Sequence, residues 1–182
     1  MRTAGARETQ IAGNAQRQLT TRKTLVGVVG AATAALLYCF VPRFEGMVHR
    51  GYVDPSGIPT KCYGDTRDVV VGKKYRDDEC RASLEDQLIA HAKPVLKVTP
   101  SLRDHPFQLA AATSFAYNIG VANYAASTTA RRFNTGDWKG ACRAINESDD
   151  GKPQWVTSNG KILPGLVRRR AQERALCEKG LS

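Results

Sequence analysis

Phe44 to Thr66 reads FEGMVHRGYVDPSGIPTKCYGDT, and three polar residues in it, Glu45, Asp54 and Thr60, organise the reading of the whole chain. Eight residues separate the Glu from the Asp, and five separate the Asp from the Thr. Cleaving a glycosidic bond needs one carboxylic acid to protonate the leaving oxygen and a second carboxylate across the sugar. A hydroxyl that helps to hold a water completes such a set. Two carboxylates in a charged loop can meet this pattern by accident, so the weight falls on the backbone between them. Asp54-Pro55-Ser56-Gly57 has the composition of a type I turn, with Asp first, Pro second and Gly fourth. With that Gly in the left-handed region, the loop becomes a three-residue hairpin closed by a bulge. Asp54 then pairs with Ile58, Val53 with Pro59 and Tyr52 with Thr60, which brings Thr60 out on the same face as Asp54. Pro59 lacks an N–H and suits the edge of a short, exposed hairpin. Upstream, Pro42 is placed to start a short helix carrying Glu45, and Gly51 to end it. His49, four residues past Glu45, would share its helical face as a surface residue.

Charge and cysteines narrow the function classes. The 182 residues carry a formal charge of +10, and residues 1–41 hold five basic residues against one acid. A basic surface suits an anionic polymer such as a cell wall. Nucleic acid is disfavoured: there is no run of Lys and Arg interleaved with aromatics, and no helix-turn-helix or zinc-finger spacing. Cys39, Cys62, Cys80, Cys142 and Cys177 are too widely spaced for a CxxC metal or redox motif, so no metal site is expected. An odd count in an exported protein leaves at least one free or intermolecular thiol; buried reduced cysteines remain the plain alternative for each.

Thr24 to Val41, TLVGVVGAATAALLYCFV, is an uncharged run of 18 residues, near the lower limit for spanning a bilayer. Arg17, Arg22 and Lys23 precede it, which places the N-terminus in the cytoplasm and the rest of the chain outside. Two Gly, four Ala and two Thr make it a weak anchor. A cleaved signal peptide has a poor mid-segment site at Ala32-Thr33-Ala34, and bulky Tyr38 before Cys39 disfavours a lipoprotein. A permanent anchor remains open. Residues 1–23 read as a disordered polar tail.

Beyond the hairpin, residues 67–76 read as a strand-like run. From Arg81 the pattern turns helical, with Leu84, Leu88, Ile89, His91 and Val95 at spacings of three and four. Asp104 is the expected cap of a helix with Pro106 in its first turn, a buried stripe of Leu109, Ala112, Phe115 and Ala116, and its end at Gly120. Ser127, Asp137 and Pro164 are placed to open three more helices, the last running to about Cys177. The fold class is α+β: a hairpin-bearing lobe, a mostly helical lobe, and a cleft between them. The triplet Arg168-Arg169-Arg170 reads chiefly as a solvated face, with a pairing of one Arg to Glu45 as the alternative. Tyr117 and Asn118 are candidate cleft-lining residues; a packed aromatic and a helix-terminal polar residue are the plain alternative.

Glu45-Gly46, Tyr52-Val53-Asp54, Gly57, Thr60 and Tyr63-Gly64-Asp65-Thr66 resemble the signature of the phage lysozymes of glycoside hydrolase family 24. ATSFAYNIGVANYAASTTARRFNTGDWKGAC is similar to the family's central helices, and GKILPGLVRRRAQERALC to its closing segment, so the resemblance runs from about Arg43 to Cys177. Cys62 stands where members often carry Gly. The resemblance implies a lysozyme-like catalytic domain over residues 42–182, with Glu45 as general acid, Asp54 as base and Thr60 as water holder. It implies cleavage of the β-1,4 link between N-acetylmuramic acid and N-acetylglucosamine in peptidoglycan, with inversion and no cofactor, by a monomer. A group of similar phage endolysins carries a signal-arrest-release segment that is exported uncleaved by the host Sec machinery, sits in the inner membrane and later leaves it. By that likeness residues 24–41 would hold the enzyme at the membrane and release it into the periplasm. Only Pro42, Arg43 and Phe44 separate this segment from Glu45, so release would also switch the enzyme on. A membrane-tethered wall-binding protein without turnover is the rival reading.

Overall fold

The computed structural model describes residues 24–181; the polar tail read over residues 1–23 lies outside them. In chain order the elements are α1 (Leu25–Val29), α2 (Ala31–Phe40), α3 (Pro42–Glu45), β1 (Val48–Val53), β2 (Pro59–Cys62), α4 (Asp77–Val98) and a 3-10 turn (Pro100–Asp104). They continue with α5 (Pro106–Ile119), α6 (Val121–Ala126), α7 (Thr128–Asn134), α8 (Trp138–Arg143), β3 (Thr157–Ser158), β4 (Lys161–Ile162) and α9 (Pro164–Lys179).

The hub is α5, with α2, α4 and α9 packed around it. Every residue from Gln108 to Ala116 is buried, not just the one-sided stripe expected from spacing. Ala110, Ala111, Thr113 and Ser114 are small enough to let neighbours close on all sides, and a helix apolar around its circumference belongs in a core. His105, not Asp104, is its N-cap, because Pro106 already holds the first helical position. Gly120 ends it at φ 87° as expected. Ser127 Oγ accepts from the Ala130 N–H and Asp137 Oδ1 from the Gly140 N–H, so both expected caps are present.

Residues 24–41 form part of this core. Among the described residues no helix is long and apolar enough to cross a membrane. The apolar run is instead broken into α1 and α2 at Gly30, whose φ 79° and ψ 163° lie in a region open essentially to glycine alone. Leu25, Val29, Thr33, Ala34, Leu37, Phe40 and Val41 are buried, a stripe hidden within a sequence that looks uniformly apolar. Burying five of these as large apolar side chains is worth roughly 1.5–3 kcal/mol each. Small residues, Gly27, Gly30, Ala31, Ala32 and Ala35, occupy the exposed side. The Leu25 N–H, an orphan donor at the start of α1, is met by Glu85 Oε1 of α4 at 2.9 Å.

The small lobe is the β1–β2 hairpin, antiparallel, with Tyr52 opposite Thr60 and Val53 opposite Pro59, the register expected from the turn. Gly57 has φ 83°, its N–H bonds the Asp54 carbonyl at 2.9 Å, and the Asp54 N–H bonds Ile58 O at 2.9 Å. Three local expectations are corrected here. Gly46, at φ 65°, ends the Glu45 helix, whereas Gly51 lies inside β1. His49 is therefore on a strand and meets Asp77 Oδ1 at 2.6 Å. Residues 67–76 form no strand: Gly72 turns at φ 88°, and the segment leans on β1 through Gly51 N–H to Lys73 O and Tyr75 N–H to His49 O. Gly51 is needed there, since a Cβ would run into the Val70 carbonyl oxygen.

Cys62–Cys80 ties the hairpin to α4, and Cys142–Cys177 ties α8 to α9, so four cysteines expected as possible reduced fillers are bridged. Cys39 is free and exposed.

Candidate active site

Glu45 stands at the C-terminal end of α3, and the backbone fixes it there. The Val41 N–H bonds Leu37 O, the Phe44 N–H bonds Val41 O and the Gly46 N–H bonds Pro42 O, so α3 continues from α2. Phe40 of α2 meets Phe44 edge-on at 5.0 Å between centroids, and the Arg169 guanidinium lies over the Phe44 ring, 4.9 Å from its centroid. Arg169 then donates from Nη1 to Glu45 Oε1 at 2.7 Å. Glu45 Oε2 faces the hairpin lobe: an ideal Cβ on Gly64 would lie 3.7 Å from it.

Behind Arg169 lies a buried charge cluster. Arg169 Nε donates to Glu173 Oε1 at 3.1 Å, Ser114 Oγ donates to the same oxygen at 2.7 Å, and Arg170 Nη2 reaches Glu173 Oε2 at 3.1 Å. Arg170 Nη2 also donates to Asn118 Oδ1 at 2.9 Å, and its guanidinium covers the Phe115 ring. Two arginines and two glutamates balance the charge. Burial pushes the Glu173 carboxyl up, against the pull of Arg170 and Arg169, and burial lowers Arg170 to about 10 despite Glu173. The expected solvated face thus holds for Arg168 alone; Arg169 and Arg170 are buried. Glu173 and Ser114 were missed in the sequence. The spacing of Glu173 to Arg169 and Arg170, four and three along a helix, is the signal that could have found Glu173; nothing local marks Ser114.

Asp54 is held by its own turn. Its Oδ1 accepts from the N–H groups of Ser56 and Ile58, both at 2.8 Å, while Oδ2 has no hydrogen-bond partner among the described residues. Thr60 is 5% exposed, and its hydroxyl donates to Ile58 O at 3.0 Å, the same carbonyl that accepts the Asp54 N–H. Asp54 and Thr60 are thereby fixed to one oxygen across the bulge.

Asn118 borders an open cleft of about 810 Å³ together with Glu45, Arg169, Arg43, Arg168 and Gln172. Tyr117 lies at the junction of the lobes, its hydroxyl 3.0 Å from Tyr63 O and 2.9 Å from Gln87 Oε1. Burial, and then the Glu45 and Asp65 charges, raise its pKa. Asp65 is buried below the same junction. Burial opposes its ionisation, yet Ser83 Oγ at 2.6 Å and the Arg67 N–H and Nε, each at 3.1 Å, hold its pKa below the ordinary carboxylate value. Among the described residues no group of three or more His, Cys, Asp and Glu is placed to hold a metal ion.

Glu45 thus lines a cleft walled by α3, the end of α5 and the start of α9, with its Oε2 toward Gly64 just past the hairpin, while Asp54 and Thr60 on the hairpin do not line that cleft. The phage lysozyme family model matches residues 42–173, and the chain belongs to that family. It is 39% identical to a SAR-endolysin of Bacteriophage PS119 over 138 residues, which is 73% of this chain and 75% of the relative. Among solved structures it is similar to an endolysin from Escherichia coli O157:H7 phage FAHEc1, with a TM-score of 0.67 and 27% identity over 78% of this chain and 90% of the other. The fold also matches the active form of the P1 phage endolysin Lyz, with a TM-score of 0.69 and 24% identity, covering 99% of this chain and 96% of the other.

Proposed function

We propose that this chain, a phage endolysin of the signal-arrest-release type that lyses host peptidoglycan, cuts the β-1,4 bond between N-acetylmuramic acid and N-acetylglucosamine with Glu45 as general acid and Asp54 as base. The observation that carries the assignment is the fixed placement of Glu45, whose Oε1 is held by Arg169 while Oε2 faces the hairpin. Glu45 passes its proton to the leaving oxygen. The two backbone donors on Asp54 Oδ1 leave Oδ2 to take a proton from water. Because the Thr60 hydrogen is spent on Ile58 O, its oxygen can only accept; a water donating to Thr60 and to Asp54 would keep a lone pair for attack on the sugar, which suits inversion. Asn118 contacts the glycan from the helical lobe, and Tyr117 acts from behind by holding the two lobes together.

The N-terminal segment serves twice. Exported through the Sec machinery and held in the inner membrane, residues 24–41 form one straight apolar helix of about 27 Å, with the domain on the periplasmic side. Once out of lipid, the segment bends at Gly30 and joins the core, and α2 then sets α3 and Glu45 in place. The enzyme acts as a monomer on the wall. The test is wall clearing by Glu45→Gln, Asp54→Asn and Thr60→Ala proteins with unchanged circular dichroism. Loss of about 10²–10⁴-fold is expected for the first two and less for the third. Wild-type clearing by Glu45→Gln would remove Glu45 from the mechanism.

A further inference from the structure

A groove of about 620 Å³ lies between α8 and the C-terminal end of α9, away from the cleft around Glu45. Arg174 and Glu178 form its α9 wall, whereas Arg169 of the same helix serves the cleft. Glu178 stands nine residues past Arg169, two and a half turns on, so the two sites use opposite faces of α9 at levels about 14 Å apart. The walls are firmly joined. Cys142 of α8 is bridged to Cys177 of α9, and Gln108 Nε2 donates to the Cys177 carbonyl at 2.7 Å. Lys139 and Arg143, one turn apart on α8, have no part in holding the fold together. Both are exposed, both line the groove, and neither side chain has an ion-pair or hydrogen-bond partner among the described residues. Two carboxylates share the groove with them. Asp137 accepts from the Gly140 N–H at 2.9 Å, and Glu178 accepts from Arg174 Nε at 2.7 Å. A neighbouring recess of about 530 Å³ also takes in Asp137, Lys139 and Leu181 and adds Trp138 and His105, whose ring centroids are 4.2 Å apart.

We propose that this groove is a second, non-catalytic binding site for a glycan strand of the wall, built of N-acetylated amino sugars. The inference rests on the wall-lysing reading of the chain and deepens it. The mixed signs of the lining decide the ligand class. A phosphate or other anion attracted by Lys139 and Arg143 would also meet the Asp137 and Glu178 carboxylates, which repel it. A sugar satisfies both kinds of group: its hydroxyls donate to the carboxylates, and its hydroxyl and acetamido oxygens accept from Lys139 and Arg143. The apolar face of a sugar ring suits the Trp138–His105 pair, which presents an aromatic body with a polar edge. Because the groove and the cleft look to opposite sides of α9, the strand held in the groove is a neighbour of the strand being cut. Holding that neighbour keeps the enzyme at a high effective concentration on the polymer between cuts.

The experiment compares kcat/KM on purified sacculi with kcat/KM on a soluble muroglycan oligosaccharide too short to reach both sites. Lys139→Ala/Arg143→Ala is measured against wild type, and Lys93→Ala/Lys97→Ala removes the same charge from the exposed side of α4. The ratio of the two rates should fall about tenfold in the groove variant, a modest part of what a second contact adds on a polymer. It should keep its wild-type value in the α4 variant. Titration of the Glu45→Gln protein with chitotetraose, followed by amide NMR, reads the site without turnover. Saturable shifts should appear at Lys139 to Arg143 and at the Trp138 indole N–H, and be lost when Lys139→Ala/Arg143→Ala is added. An unchanged ratio, an equal fall in the α4 variant, or shifts there with inorganic phosphate but not with chitotetraose would overturn the groove assignment and leave the muramidase reading intact. Wild type that cleaves neither substrate would overturn the muramidase reading, and the titration would still decide the groove.

Discussion

Arg169 Nη1 and Glu45 Oε1 meet at 2.7 Å across 124 positions of sequence, joining the last helix to the short helix that directly follows the N-terminal segment. The same guanidinium serves Glu173, whose side chain is fully buried. Arg169→Met should leave both carboxylates without this partner and destabilise the fold by about 3–5 kcal/mol, the usual penalty for breaking a buried pair. Arg169→Lys should recover part of the stability but not the fork that reaches Glu45 and Glu173 together. Urea denaturation of the two variants checks both statements.

Gly27→Leu and Gly30→Leu give the apolar run the same gain in lipid, about 0.5 kcal/mol each near a helix centre. They differ in the folded protein. Gly27 has no positive φ, whereas Gly30 sits at φ 79°, where a leucine is strained by about 1–3 kcal/mol. Gly30→Leu should therefore hold more protein in the membrane and delay lysis longer than Gly27→Leu. Membrane fractionation during lysis measures the difference. Equal retention by the two would mean that docking of the segment does not draw it from the bilayer.

The two hairpin glycines should fail for different reasons. Gly57→Val carries a backbone penalty at φ 83° but meets nothing within 4 Å, so a loss of about 1–2 kcal/mol is expected. Gly51→Ala has an ordinary φ but collides with Val70 O and must displace the 70–75 loop. Hydrogen exchange should show loosening around residues 70–75 in Gly51→Ala and not in Gly57→Val.

Asp65 links stability to pH. Its pKa is lowered from 3.8 in the folded state, so its contribution is present above that value and lost as pH falls through the folded pKa. Asp65→Asn should be less stable than wild type at neutral pH by about 1–3 kcal/mol, the loss expected for a buried hydrogen-bonded carboxylate. That gap should stay constant above about pH 5 and narrow below the ordinary carboxylate pKa. Thermal melts of both proteins across this range give the gap directly.

The hairpin was legible because Asp-Pro-Ser-Gly fixes a turn, and the turn fixes the register that sets Tyr52 opposite Thr60. Caps at Ser127 and Asp137 were legible for the same local reason. The β3–β4 hairpin was missed although Asn159 and Gly160, both at positive φ, carry the strongest short hairpin signal. What local reading did not yield is tertiary. Val69 to Val71 look like a strand, but Gly72 and the fit against Gly51 make them a loop. Residues 24–41 look like one membrane helix, and only packing against α4 and α5 reveals which of their side chains form a core stripe. Arg169 and Arg170 look like surface charge until Glu173 and Ser114 are brought to them.

The reducing ends released from purified sacculi test the central claim most directly. Mass spectrometry of fragments made by the wild-type chain should show new N-acetylmuramic acid reducing ends, and none from Glu45→Gln under the same conditions. New N-acetylglucosamine ends, anhydro-muramic ends, or undiminished release by Glu45→Gln would contradict a muramidase in which Glu45 gives its proton to the leaving sugar.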